Sequence, residues 1–349
     1  MRIAYIITSP RDCGPTKLLQ TLCKVMIDHG HDCRVYCLKE KEGVDFGCQT
    51  EFISFKKGFA FGAYDVVHSH GLLPNLYILI HKPFLTKARC ISTLHSNIFE
   101  DMRYGFGAFK GFLMACLFLL SVLRHDKLIC LGQNGYNYYS RWFSKKKLVV
   151  GFNAITLDKQ LKPDEADQEK IEAFKKDKIL IGSHQPLLEI KGIDILIDAM
   201  KLLPEQYRLV IVGDGPLQTK LKKRIQELGI EERVLMIGYR KDASRYLSLY
   251  DIFVLTSRNE GFSLSLLEAA HYGKKCVCSD LLTLREFYKD NVLYFELPSA
   301  HSLAQTIEQA ASEKETYLGE RLRSMAQEYY NLERFYQKHM EVYWLRVIG

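Results

Sequence analysis

The sequence predicts an α/β chain of two doubly wound halves, each a parallel sheet wrapped by helices. Three observations carry this expectation. Short apolar runs alternate with helix-length segments along the chain, as parallel sheets covered by helices require. A length of 349 residues exceeds what one core usually serves and suits two domains of about 150 to 200 residues. A hydrophobic content of 47% is that of a packed globular chain.

Taken in order, strands are expected near residues 3–8, 33–37, 66–69, 90–93, 127–131 and 148–151, with the loop SPRDCGPTK opening the first helix. A second series is expected near residues 179–182, 208–212, 234–237, 251–256, 275–279 and 293–295. The boundary falls near Asn153, giving a first domain of residues 1–152 and a second of 153–330. The charged, proline-containing stretch 162–178 follows as linker and surface helix. Residues 331–349 hold an amphipathic closing segment, NLERFYQKHMEVYWLRV.

The longest apolar run, GFLMACLFLLSVL at 111–123, is shorter than the roughly 20 residues that span a bilayer. It is expected to pack on the sheet of the first domain. The other reading is a helix lying in a membrane interface, with Lys110 and Arg124 at its ends and Phe106, Phe109, Phe112 and Phe118 in or near it. Met1 leads directly into a strand with no signal-peptide pattern, and ten cysteines show no paired C-x-x-C spacing. Both point to reduced thiols and a cytoplasmic chain.

Charge is uneven. Residues 1–152 carry 20 Lys plus Arg against 11 Asp plus Glu, a net of +9, whereas 153–349 carry 28 against 30, a net of −2. A basic half invites an anionic partner. No nucleic-acid-binding module is present, so nucleic acid is set aside. A membrane surface, reached from its inner face, or a lipid-diphosphate acceptor docked there fits a basic domain rich in aromatics; a solvated basic surface is the plain alternative.

Residues 258–280, RNEGFSLSLLEAAHYGKKCVCSD, carry most of the chemistry. Glu260 falls in the loop after a strand and Glu268 about two turns into the helix that begins near Ser263. The first turn of a helix presents unpaired N–H groups and partial positive charge. Gly261 admits a ligand close to the backbone, so the amides of Gly261, Phe262 and Ser263 suit hydroxyls or a phosphate. Carboxylates on either side suit the diols of a sugar nucleotide. Taken alone, the spacing equally describes a capped helix with two surface acids.

The run LVIVGDGPLQTKLKKRIQELGIEERVLMIGY (209–239), the strand DIFVLTS and the segment EGFSLSLLEAAHYGKKCVCSD together resemble the C-terminal domain of the retaining glycosyltransferases of family 4, which have the GT-B fold. The opening MRIAYIITSPRDCGPTKLLQTLCKVMIDHGHDCRVYCL, then DVVHSHG and ISTLHSN, resemble the family's first domain. The resemblance implies two Rossmann-like domains facing across a cleft, with the closing helix returning to the first. It implies that Glu268 holds the ribose and that Glu260, Gly261, Phe262, Ser263 and Leu264 hold the sugar. Lys191 then steadies the diphosphate, His95 assists at the sugar, and Tyr239 and Arg240 lie at the nucleobase. Gly14, in the first glycine turn, faces a phosphate.

The chain also departs from that family. One glycine stands where two are usual, and Ser183 and His184 follow Gly182 where the family has an arginine. Either His184 or Arg11 then takes part of the diphosphate charge, or stabilisation of the leaving group is weaker. The implied activity is metal-independent, retaining transfer of a hexose from a UDP- or GDP-sugar, with no cofactor, to a hydroxyl of a lipid-linked saccharide in cell-surface polysaccharide synthesis. The competing functions are a catalytically silent sugar-nucleotide-binding module and a nucleotide-sugar epimerase of the same fold. The epimerase would lack the two glutamates at this spacing.

Overall fold

The structure, a computed structural model, describes residues 1–39, 43–157, 160–312 and 317–344. Contacts divide the chain into two compact units, one of Met1–Thr156 joined by the chain from Tyr330 onward, the other of Leu157–Tyr329.

Among the described residues, the first unit holds a seven-stranded sheet: β1 (Arg2–Ile7), β2 (Asp32–Cys37), β3 (Gln49–Phe52), β4 (Val66–His70), β5 (Arg89–Leu94), β6 (Lys127–Leu131) and β7 (Leu148–Gly151). The second holds six strands: β8 (Ile179–His184), β9 (Tyr207–Val212), β10 (Val234–Gly238), β11 (Ile252–Leu255), β12 (Lys275–Ser279) and β13 (Leu293–Phe295). Every pairing is parallel. The orders are β3-β2-β1-β4-β5-β6-β7 and β10-β9-β8-β11-β12-β13. Each sheet thus runs outward in both directions from its first strand, the doubly wound Rossmann order.

All the predicted strands are present. The unpredicted one is β3, whose sequence QTEF is polar and mostly exposed, because it pairs on one side only, at the sheet's edge. Interior strands are buried along nearly their whole length, β4 and β11 entirely and β1 after Arg2, as parallel strands covered on both faces must be. In the second unit Ile181, Leu209, Ile211, Val254 and Val277 pack under Leu196, Met200, Ile225, Leu303 and Ile307 from the covering helices. The first unit has separate clusters around Ile6, Val67 and Tyr77 and around Leu94, Ala115, Phe118 and Tyr139.

The last described helix, Leu332–Trp344, lies against the first unit. Tyr336 stacks on His29 at 3.6 Å and hydrogen-bonds His31 at 3.0 Å, while Arg89 Nη1 donates to the Val342 carbonyl at 2.9 Å.

Most of the apolar run, up to Ser121, falls in the helix Ala108–Ser121, which buries only Gly111, Ala115, Phe118 and Ser121. That single narrow stripe leaves Phe109, Phe112, Leu113 and Leu120 exposed, so the run is only partly a core helix. No helix among the described residues is long and apolar enough to cross a membrane. All ten cysteines are free thiols.

Candidate functional site

In open parallel sheets, ligands bind beyond the carboxyl ends of the strands, where the strand order reverses. In the second unit that point lies between β8 and β11. Their following loops, residues 185–192 and 256–263, are therefore neighbours, and hydrogen bonds tie them together. Arg258 N donates to the Ile190 carbonyl at 2.7 Å, and Thr256 Oγ1 to the Lys191 carbonyl at 2.9 Å. Gly192 has φ +63°, and a Cβ there would sit 2.2 Å from the Thr256 oxygen. Only glycine allows both that backbone conformation and that approach.

This stitching brings two predicted residues into contact. Lys191 Nζ lies 2.5 Å from Glu260 Oε1, and both side chains are largely shielded. Ser257 Oγ donates to the same carboxylate oxygen at 2.7 Å, and Thr283 Oγ1 fixes the Glu260 carbonyl at 2.8 Å. A charge-assisted contact of this kind is short and directional. Next to it, Arg258 pairs with Asp194 at 2.7 Å and also donates to the Glu189 carbonyl.

Glu268 is buried in the helix Leu264–His271, and its Oε2 accepts from His184 Nε2 at 2.8 Å. His184 ends β8, so the carboxylate is held from the neighbouring strand; the imidazole's Nδ1 is buried without a partner among the described residues. His184 thus stands against Glu268, the residue expected at the ribose. Ser263 caps the helix, its Oγ accepting from Leu266 N at 3.2 Å, and Tyr288 donates to the Ser263 carbonyl at 3.0 Å. Leu264 is the first helical residue, directly after that cap. Gly261 and Phe262 are buried in the same loop, the Phe262 ring packed 4.6 Å from Phe287.

Tyr239 follows β10 and is about half exposed. Arg240 points its guanidinium at Asp167, with contacts of 2.5 and 2.9 Å, and that carboxylate also accepts from Tyr246. The Arg240 and Tyr246 contacts hold Asp167 below the usual carboxylate range. Arg240 is therefore built into a pair with the helix Glu165–Lys175.

In the first unit, Gly14 is the exposed first residue of the helix Gly14–Asp28, with Cys13 at the cap and Pro15 just inside it. His95 follows β5, and its Nε2 meets His70 Nδ1 at 3.1 Å. His70 stacks at 4.4 Å on His68, whose two nitrogens reach Tyr343 and Thr93 at 2.9 and 2.8 Å. Burial pushes His95 down to about 4, and burial with neighbouring histidines holds His68 and His70 well below the ordinary histidine range. The row is neutral at pH 7, so His95 there offers a hydrogen-bonding imidazole and no charge.

Ser257, Gln185 and Thr283 were not singled out in the sequence. Ser257, three residues before Glu260 at a strand end, had a positional signal; Thr283, 23 residues beyond Glu260 and after another strand, had none. Gln185 joins the network through Ser183 and Ser257.

Residues 164–329 match the family described as glycosyl transferases group 1. Over 98% of both chains, the sequence is 27% identical to the O-antigen biosynthesis glycosyltransferase WclY of Escherichia coli. It is 27% identical, over 62% of this chain and 58% of the relative, to the UDP-Gal:alpha-D-GlcNAc-diphosphoundecaprenol alpha-1,3-galactosyltransferase of Escherichia coli. Among solved structures, HepE of Anabaena in complex with UDP-glucose superposes with a TM-score of 0.80 at 18% identity, covering 98% of this chain and 99% of that one.

Proposed function

We infer the function of this chain from one premise: it is a glycosyltransferase of the GT-B fold whose residues 164–329 form a group 1 domain. On that premise it is a retaining, metal-independent hexosyltransferase of the family 4 type. It moves a hexose from a UDP- or GDP-sugar to a hydroxyl of a lipid-linked saccharide during surface-polysaccharide synthesis. The names of two relatives support this, one an O-antigen enzyme and one named for a diphosphoundecaprenol-linked acceptor.

The observation that carries the reading is the pair of contacts Lys191–Glu260 and His184–Glu268 on adjoining loops at the carboxyl ends of β8 and β11. Each supplies what the reaction asks for. Glu268, steadied by His184, accepts from the ribose hydroxyls. Glu260 accepts from sugar hydroxyls. Lys191, held by Glu260, is placed to turn to the diphosphate as the glycosidic bond breaks and negative charge develops on the leaving oxygen. A preorganised cation gives most when it acts where charge appears in the transition state. Lys191 thereby takes the role that a divalent ion has in metal-dependent transferases, and no cofactor enters. His95 assists the transfer step as a neutral imidazole, and Gly14, Tyr239 and the backbone near Arg240 belong to the donor-binding set.

The test is transfer from a panel of UDP- and GDP-hexoses to a diphospholipid-linked saccharide, with EDTA present and product anomers read by NMR. Transfer that survives EDTA with the donor's anomeric configuration kept is expected. Donor binding without turnover on every acceptor would instead identify a silent binding module, and inverted product would remove the family 4 assignment.

A further inference from the structure

The first unit carries an apolar surface that its own fold leaves uncovered. At its edge the loop 82–87 projects Phe84 and Leu85, 95% and 97% exposed. Beside it the helix Ala108–Ser121 turns Phe109, Phe112 and Leu120 outward, exposed by 76%, 56% and 54%. These features form one surface. The Arg124 guanidinium, just past that helix, lies 4.8 Å over the Phe84 ring and donates to the carbonyls of Leu79 and Lys82. At the other end, Phe99 packs against Phe112 at 5.7 Å and Trp142 at 5.4 Å. A contiguous apolar face of this kind marks an interaction site.

Charge identifies the occupant. Residues 66–125 contain six Lys and Arg against two acids, Glu100 and Asp101, and Lys87, Arg103, Lys110 and Arg124 lie next to the apolar segments in sequence. A second copy docked by two-fold symmetry would set this basic patch against the same basic patch. A phospholipid surface bearing negative headgroups accepts both the apolar tips and the surrounding cations. We propose that this face seats on an anionic bilayer, with Phe84, Leu85 and the outward side of the helix Ala108–Ser121 at the acyl boundary and the basic residues against lipid phosphates. The inference rests on the reading of a lipid-linked acceptor for its purpose, since docking would hold the enzyme where such acceptors are anchored.

Co-sedimentation of the full chain with vesicles tests it. Binding to vesicles containing phosphatidylglycerol, weak binding to pure phosphatidylcholine and a decline in high salt are expected. The double variants F84S/L85S and K87E/K110E alter exposed side chains and are expected to fold as judged by circular dichroism. Each should lower affinity for anionic vesicles by about ten-fold or more, while transfer to a short-chain, water-soluble acceptor is unchanged. A native chain that does not sediment with anionic vesicles overturns the proposal, as do variants that sediment equally well. So does a dimer seen by light scattering that L113D dissociates, if no vesicle binding accompanies it. Vesicle binding without sugar transfer would leave the docking intact and sink the functional reading; transfer without vesicle binding would do the reverse.

Discussion

On the proposed function Glu268 holds the ribose and Lys191 the diphosphate, and their contacts with His184 and Glu260 imply different failures. Glu268→Gln keeps the shape and lets the amide oxygen accept from His184, yet it loses the charge that strengthens hydrogen bonds from ribose hydroxyls. Affinity for the nucleoside diphosphate should fall by about ten-fold, read by calorimetry; equal affinity would remove Glu268 from the donor site. Lys191→Ala removes the cation facing Glu260 and should lower turnover by roughly 10²- to 10³-fold in single-turnover assays, more than it weakens ground-state donor binding. Turnover matching the native protein would mean that leaving-group charge is met elsewhere, with Arg258, already beside Asp194, the first side chain to change next. The loop position of Glu260 and the helical position of Glu268 were legible from the local pattern, while the roles given to them came from the family resemblance. That Lys191 would pair with Glu260 and His184 with Glu268 was not legible, because a hydrogen bond across 69 or 84 positions leaves no local pattern.

At the scale of elements, the site is a matter of how loops are tied. Gly192 is where the loop after β8 crosses under the loop after β11, and Gly192→Ala asks a side chain to occupy the space of the Thr256 carbonyl at a positive φ. A loss of about 1–3 kcal/mol in urea denaturation is expected, together with reduced transfer activity as Lys191 moves relative to Glu260. Native-like stability would show that the loops adjust independently. Ser263→Ala removes the side-chain cap of the helix carrying Glu268 and should cost about 1 kcal/mol, with Ser263→Asn restoring most of it. Strand positions were readable because interior parallel strands are continuous apolar runs. The edge strand β3 was not, since one-sided pairing needs no such run. The helix Ala108–Ser121 was readable as a helix, with a core-packed and an interfacial reading both open, because an all-apolar run does not reveal which side meets the core.

For the molecule as a whole, pH is the probe with the most definite sign. His68, His70, His125 and His339 are buried in the first unit, His339 on the closing helix, and His95 is half-buried in that unit; desolvation is the largest cause of depression in each. His95 and His339 fall to about 4 and His125 to about 3. A histidine whose folded value is below its unfolded value of about 6.5 stabilises fully above the latter. That stability is lost as pH falls, because the unfolded chain takes up protons that the folded one refuses. Each such group adds a slope approaching about 1.4 kcal/mol per pH unit below pH 6.5. Urea midpoints should therefore be level above pH 7 and drop steeply toward pH 5; a flat profile across that interval would mean that the histidines are not held neutral. What the amino-acid order determined by itself was the kind of each element, the doubly wound alternation and the two glutamates placed around a helix start, all consequences of local periodicity and local backbone chemistry. Tertiary structure alone decided that Lys191 meets Glu260 and His184 meets Glu268. It also decided that a row of histidines closes against the last helix and that one apolar helix face stays uncovered. Strand order in a sheet, and not distance along the chain, sets which loop ends become neighbours.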